Sequence, residues 1–199
     1  MIKVKICGVK REEDIEYVNR YKPDYVGFVF SKSKRQVNLE QAKMLLKNLD
    51  SHIKSVGVFV DEALEYVYNI SKNLSLDVIQ FHGLENEEYM GHFKEFTLWK
   101  ALKVESGKDV LNLNYKYAKG IVLDNKTAGS GKSFPWCIAR DIEVEKDLIL
   151  AGGINEENVE TAVSIVNPDI VDVSSGVESQ GYKDPYKIKR FIWKVRNIK

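Results

Sequence analysis

The chain has 199 residues, with 30 Lys and Arg against 29 Asp and Glu, and is 44% apolar and 30% charged. A charge balance this near zero argues against a dedicated nucleic-acid binder, and the apolar share excludes intrinsic disorder. No apolar run approaches the ~18 residues of a membrane span, Met1-Ile2-Lys3-Val4-Lys5 lacks a signal-peptide core, and two cysteines, Cys7 and Cys137, suit a reducing compartment. The expectation is a cytoplasmic protein with a single domain over residues 1–199, bound to neither membrane nor nucleic acid.

In chain order the first predicted strand is Lys3–Cys7, followed by a helix over Arg11–Tyr21 with Ile15 and Val18 on one side and acids in its first turn. A strand at Tyr25–Phe30 precedes a helix at Leu39–Leu49, whose apolar residues at 39, 42, 45, 46 and 49 form one stripe. Strands then follow at Ser55–Val60, Val78–Phe81, Leu98–Leu102, Gly120–Leu123 and Leu148–Ala151. A helix over Asn155–Val166, with Asn155 as cap, leads to a strand at Ile170–Val173. The last helix, Asp184–Ile198, has Pro185 in its first turn and Ile188, Phe191, Ile192 and Val195 as its stripe.

Most of these strands are apolar at successive positions, as parallel strands covered on both faces are. Their carboxyl ends recur every 21 to 30 residues, the size of a βα unit. Eight strands with about eight helices fit either a closed (β/α)8 TIM barrel or an open doubly wound sheet. The barrel is favoured, because eight units match it and no dinucleotide fingerprint follows the first strand.

In such a barrel the working residues sit at the carboxyl ends of the strands. Those ends read Cys7-Gly8, Ser31 to Arg35, Asp61, Gln80 to Gly83, Lys100, Asp124-Asn125, Gly152-Gly153 and Ser174-Ser175-Gly176. Glycine and serine loops after the last two strands point to a phosphorylated small molecule, since backbone amides there can cradle an anion. Cys7 is read against its commoner identity as a small buried apolar residue; beside Lys5 and Lys10 a lowered pKa and a role as base or nucleophile are expected. Asp124 either pairs with Lys126 or forms an acid/base couple with Cys7 across the mouth. His82 is expected to orient a neighbour or line the mouth, and Cys137 to be an ordinary residue of a helix after Trp136. His52, His82 and His92 have no metal-ligand spacing, so no metal is expected. Ala128-Gly129-Ser130-Gly131-Lys132-Ser133 resembles a nucleotide loop, but Lys126 stands where its first glycine belongs. It is read as a lid over the active face.

Six segments then carry a family resemblance. They are Lys5-Ile6-Cys7-Gly8, Phe30 to Arg35, Gln80-Phe81-His82-Gly83, Leu123-Asp124 with Gly129 to Trp136, Leu150 to Ile154, and Asp172 to Glu178. Together and in this order they closely resemble phosphoribosylanthranilate isomerase, a (β/α)8 enzyme of tryptophan biosynthesis, from Lys3 to about Phe191. The resemblance implies an Amadori rearrangement of N-(5-phosphoribosyl)anthranilate with no cofactor. It implies Cys7 as general base, Asp124 as general acid and Arg35 as partner of the anthranilate carboxylate. Gln80 and His82 would line the substrate site, and Gly152, Gly153, Ser174, Ser175 and Gly176 would hold the 5-phosphate. The sequence departs from the family at Lys34, where proline is usual, at Phe81 for leucine, and at Ala128-Gly129-Ser130 for Gly-Gly-Thr.

Two other readings are weighed. A related phosphosugar barrel is disfavoured: an indole-glycerol-phosphate synthase calls for a catalytic lysine and a longer amino-terminal extension, and an aminoimidazole-carboxamide ribotide isomerase for a carboxylate where Cys7 stands. A non-catalytic phosphosugar-binding barrel would keep the Gly/Ser loops without the Cys7 and Asp124 pair. Oligomeric state, monomer or homodimer, is not legible.

Overall fold

The computed structural model describes residues 1–125, 133–140 and 142–198. Eight parallel strands close into a barrel in sequential order: β1 (Lys3–Cys7), β2 (Tyr25–Val29), β3 (Lys54–Phe59), β4 (Val78–Phe81), β5 (Thr97–Val104), β6 (Ala118–Asn125), β7 (Asp147–Leu150) and β8 (Ile170–Val173). β8 pairs with β1 in register Lys3↔Ile170 and Lys5↔Asp172. The (β/α)8 fold is therefore present, and every predicted strand lies within three residues of an observed one at either end.

The uninterrupted apolar runs are explained by two separate cores. Outward residues such as Val4, Ile6, Phe28, Phe81, Leu123 and Val173 join the helices in one cluster. Inward residues such as Val56, Val58, Trp99, Val122 and Ile149 fill the barrel as a second. Trp99, 1% exposed, stacks obliquely on Tyr25 with ring centroids 5.0 Å apart and fills the interior. At the amino ends of the strands an aspartate repeats one task. Asp24, Asp77 and Asp169 each accept the amide hydrogen of the second residue of a neighbouring strand, from Val4, Ser55 and Leu148, at 2.7–2.8 Å.

Around the barrel lie α1 (Glu12–Tyr21), α2 (Leu39–Lys47), α3 (Leu64–Leu74), α4 (Glu87–Gly91), α5 (Val159–Val166) and α6 (Pro185–Arg196). The stripes at Ile15 and Val18, and at Ile188, Phe191, Ile192 and Val195, are buried as expected. Asp184 opens α6 by accepting from the Tyr186 and Lys187 amides. Two expectations need correction. Among the described residues there are six α-helices rather than about eight, because β5 to β6 and the described part of β6 to β7 carry only single 3-10 turns, Gly107–Val110 and Trp136–Ala139. Cys137 therefore sits in a 3-10 turn, exposed. α5 begins at Val159 with Asn158 as its cap; Asn155 instead closes the preceding turn, its side chain accepting from the amides of Glu157 and Asn158. No helix among the described residues is long and apolar enough to cross a membrane.

Candidate active site

Strand alternation turns residues 3, 5 and 7 of β1 into the barrel and residues 4 and 6 outward. Cys7 is the last of the inward set, at the carboxyl rim. A Cβ on Gly27 of β2 would lie 2.7 Å from Cys7 Sγ, so glycine there makes the room that the sulfur occupies. The Cys7 carbonyl accepts the Ser174 hydroxyl at 2.9 Å, tying the end of β1 to the loop after β8. Burial pushes the thiol above its ordinary value, the Lys5 and Lys183 ammonium groups pull it back, and Asp172 adds to the rise. The lowered pKa expected from Lys5 and Lys10 is thus corrected. Burial outweighs the cations, and the second cation is Lys183. Lys10 Nζ meets the Lys34 carbonyl at 3.0 Å and lies over the Tyr182 ring.

Beside Cys7 the rim carries two groups of paired charges, Lys5 with Asp172 and Glu178 with Arg35 and Lys183. Lys5, fully buried, places Nζ 2.6 Å from Asp172 Oδ2. Arg35 donates from Nε and Nη2 to the two oxygens of Glu178 at 2.7 and 2.8 Å. Lys183 Nζ donates to the same carboxylate at 2.8 Å and to the Ser174 carbonyl at 3.0 Å. Burial works against the charge on Glu178, but Arg35 and Lys183 bring its pKa down to about 2. Glu178 and Lys183 arrive on a small hairpin, β9 (Glu178–Ser179) with β10 (Tyr182–Lys183). Arg35 is anchored as well: its amide donates to Ser33 Oγ at 3.0 Å, and Lys10 holds the Lys34 carbonyl. These bonds tie down the loop where proline is replaced by Lys34.

On the far side of the mouth, Asp124 continues the inward series Gly120 and Val122 of β6 and is 9% exposed. Its Oδ1 accepts the Asn125 amide at 2.8 Å, and Oδ2 lies 3.1 Å from His82 Nε2, close without hydrogen-bond alignment. His82 Nδ1 in turn lies 3.2 Å from Gln80 Nε2. Gln80 sits one inward position below His82, 1% exposed. His82 thus faces the acid candidate.

The two glycine loops meet at the β7–β8 edge. Gly152 and Gly153 have φ of +79° and +69°, and among the described residues neither amide has a protein acceptor. A Cβ on Gly176 would collide with the Ile154 carbonyl, so the Ser174-Ser175-Gly176 loop packs directly on the Gly152-Gly153 loop. Lys126 and the Ala128 to Lys132 part of the expected lid lie outside the described residues. Lys100, read as a strand-end candidate, alternates outward from the barrel and pairs with buried Glu85 at 2.9 Å. Phe28 is likewise outward, packed in the helix-facing core. Among the described residues no group of three or more His, Cys, Asp or Glu is placed to hold a metal ion.

Sequence reasoning assigned no role to Glu178, Lys183, Asp172 or the Lys5 ion pair. Lys5 and Asp172 carry a signal that was readable: each is a charge at an inward position of an otherwise apolar strand. Lys183 carries none, since a two-residue strand ten residues after β8 follows no periodicity.

Residues 4–194 match the family model described as N-(5'phosphoribosyl)anthranilate (PRA) isomerase. The N-(5'-phosphoribosyl)anthranilate isomerase of Clostridium kluyveri is 83% identical over 199 residues, covering both chains completely. The crystal structure of phosphoribosyl anthranilate isomerase from Thermus thermophilus superposes with a TM-score of 0.92 at 30% identity over the whole of both chains. A phosphoribosyl anthranilate isomerase solved in complex with reduced 1-(o-carboxyphenylamino)-1-deoxyribulose 5-phosphate has a TM-score of 0.87 at 36% identity, covering 98% of this chain and 99% of that one.

Proposed function

The chain belongs to the N-(5'-phosphoribosyl)anthranilate isomerase family, and from that premise we propose which of its own residues carry the reaction. The chain is an isomerase of tryptophan biosynthesis that converts N-(5'-phosphoribosyl)anthranilate to the 1-deoxyribulose 5-phosphate product. Asp124 gives a proton to the furanose ring oxygen, the C1′–O bond breaks, and the sugar opens to a protonated imine. Cys7, as thiolate, then removes the C2′ proton. The electron pair moves toward the imine nitrogen, and the enolamine tautomerises to the aminoketone. The cationic imine is an electron sink, so a thiolate of moderate basicity is sufficient. Every proton and electron pair stays within substrate and side chains, and the steps call for no cofactor.

One observation carries this reading. Cys7 and Asp124 are inward-facing groups at the carboxyl rim of a closed barrel, one beside buried cations and the other beside His82. The apolar floor of Val58, Ala101 and Val122 beneath them suits a sugar and an aromatic ring rather than water. The Gly152-Gly153 and Ser174-Ser175-Gly176 loops bind the 5-phosphate through backbone amides. Arg35 binds the anthranilate carboxylate with the guanidinium edge that Glu178 leaves free, while Gln80 and His82 line the opposite wall. The partner is this small phosphorylated substrate, and the protein works in the cytoplasm as a monomer or a homodimer.

The experiment is the decay of anthranilate-derivative fluorescence on adding enzyme. Cys7→Ser and Asp124→Asn should each lower kcat by about 10²–10⁴-fold, the usual share of a general acid or base, while a phosphate-bearing product analogue still binds. Turnover like that of the wild type in either variant overturns the assignment.

A further inference from the structure

The rim around Cys7 holds more charge than the two-residue mechanism uses. Lys5 comes from β1, Asp172 from β8, Glu178 from β9, Lys183 from β10 and Arg35 from the loop after β2. Both lysines are 4% exposed or less. Each has one carboxylate contact, at 2.6 Å to Asp172 and at 2.8 Å to Glu178, and Glu178 is shared with Arg35. Among the described residues three cations therefore face two carboxylates, and the third cation, Arg35, is 22% exposed and keeps one guanidinium edge for the substrate. Lys5 and Lys183 are the buried two of the three, and a buried charge is costly unless anionic groups surround it. Of the groups next to these cations, the Cys7 sulfur is the one that becomes an anion during the reaction. Asp124 on β6 and His82, just past the end of β4, are turned toward each other instead.

We infer that Lys5 and Lys183 are positioning residues that stabilise Cys7 as a thiolate, and that Asp172 and Glu178 fix the two ammonium groups for that task. The inference rests on the reading of Cys7 as the base. Lys5 lies two residues before Cys7 on the same inward face, so its ammonium reaches the sulfur from below. Lys183 is held above by Glu178 and by the carbonyl of Ser174, whose hydroxyl binds the Cys7 carbonyl. The arrangement offsets part of the cost that burial imposes on the thiolate, with fixed charges that need no reorganisation as the proton is taken. When the C2′–H bond breaks and S–H forms, the negative charge leaves the sulfur and the electron pair passes into the cationic imine, neutralising it.

The test titrates the sulfur directly. A Cys137→Ser background leaves Cys7 as the sole cysteine, and thiolate absorbance near 240 nm is followed against pH. Lys5→Met and Lys183→Met should each move the Cys7 transition upward by about one pH unit or more, a tenfold loss of thiolate below it. The alkaline rise of kcat should shift by the same amount, with KM changed less than about threefold, and Lys183→Arg should restore both. If Lys5→Met does not fold, Lys5→Met combined with Asp172→Asn avoids a stranded buried carboxylate; its upward shift should be smaller, because Asp172 itself raises the thiol, and is read against Asp172→Asn alone. Cys7 transitions that stay in place in the folded Lys5 and Lys183 variants overturn the inference. Full activity in Cys7→Ser overturns instead the reading of Cys7 as base, whatever the titrations show.

Discussion

His82 Nε2 lies 3.1 Å from Asp124 Oδ2, and the same ring reaches back to Gln80 through Nδ1 at 3.2 Å. The second oxygen of the acid candidate therefore lies against the imidazole ring, close but without an aligned hydrogen bond. His82→Phe removes that neighbour and leaves the carboxyl group, so kcat should fall about tenfold at unchanged KM. Asp124→Asn should cost far more. The double variant should be no slower than Asp124→Asn alone, because residues acting as one unit do not add. Steady-state kinetics on the three variants checks this, and additive losses would contradict it.

Arg35 offers its Nε and Nη2 hydrogens to Glu178, which orients the guanidinium plane before any substrate arrives. Arg35→Lys keeps the charge and loses the fork. KM for the anthranilate substrate should rise about tenfold or more with a smaller change in kcat. An aniline analogue without the carboxylate should show no such penalty. Measuring both substrates against both enzymes separates recognition from a general disturbance of the rim.

The barrel was legible in the sequence because buried parallel strands are apolar at every position, and runs such as Val26 to Phe30 and Val56 to Val60 show it. Cys7 and Asp124 were legible by position, one closing β1 and the other near the end of β6. The state of the Cys7 thiol was not. A one-dimensional reading counts the neighbouring lysines Lys5 and Lys10, whereas burial and the distant Lys183 are properties of the folded rim. Among the described residues, the helices expected between β5 and β7 failed for a different reason. Segments such as Gly107–Val110 are too short to complete an α-helix, and average βα spacing does not reveal that.

Gly176 packs so closely on the Ile154 carbonyl that any side chain forces the two loops apart. Gly176→Ala should therefore separate the elements assigned to the 5-phosphate, raising KM tenfold or more and weakening inorganic phosphate binding in parallel. Stability should fall by about 1–3 kcal/mol, the usual cost of overpacking. Calorimetry with phosphate and a denaturant titration measure the two effects, and an unchanged phosphate affinity would remove these loops from the site.

Outside the barrel, Lys100 and Glu85 form an ion pair with both side chains at most 4% exposed. Glu85 also accepts the amides of Asp61 and Gly83, so it fastens the loops after β3 and β4 together. Lys100→Met leaves that carboxylate buried and uncompensated and should cost about 3–5 kcal/mol. Adding Glu85→Gln should recover part of the loss, since the charge is then gone while one of the two amides keeps its acceptor. Urea midpoints of the single and double variants decide it, and a Lys100→Met protein as stable as the wild type would show that the pair is dispensable.

Glu178 titrates near 2 in the folded protein against an ordinary value of 4.5. Its folded pKa is the lower one, so its contribution to stability is complete above about pH 4.5 and is lost as pH falls toward 2. Glu178→Gln never has that contribution, and it leaves Arg35 and Lys183 without their shared anion. The variant should be less stable than the wild type at pH 6, and the gap should close progressively as both are acidified through this window. Urea unfolding at half-unit pH steps gives the difference directly. A gap that stays constant from pH 6 to pH 2 would mean that the carboxylate stabilises the fold by something other than its charge, and the ion cluster at the rim would lose its anchoring role.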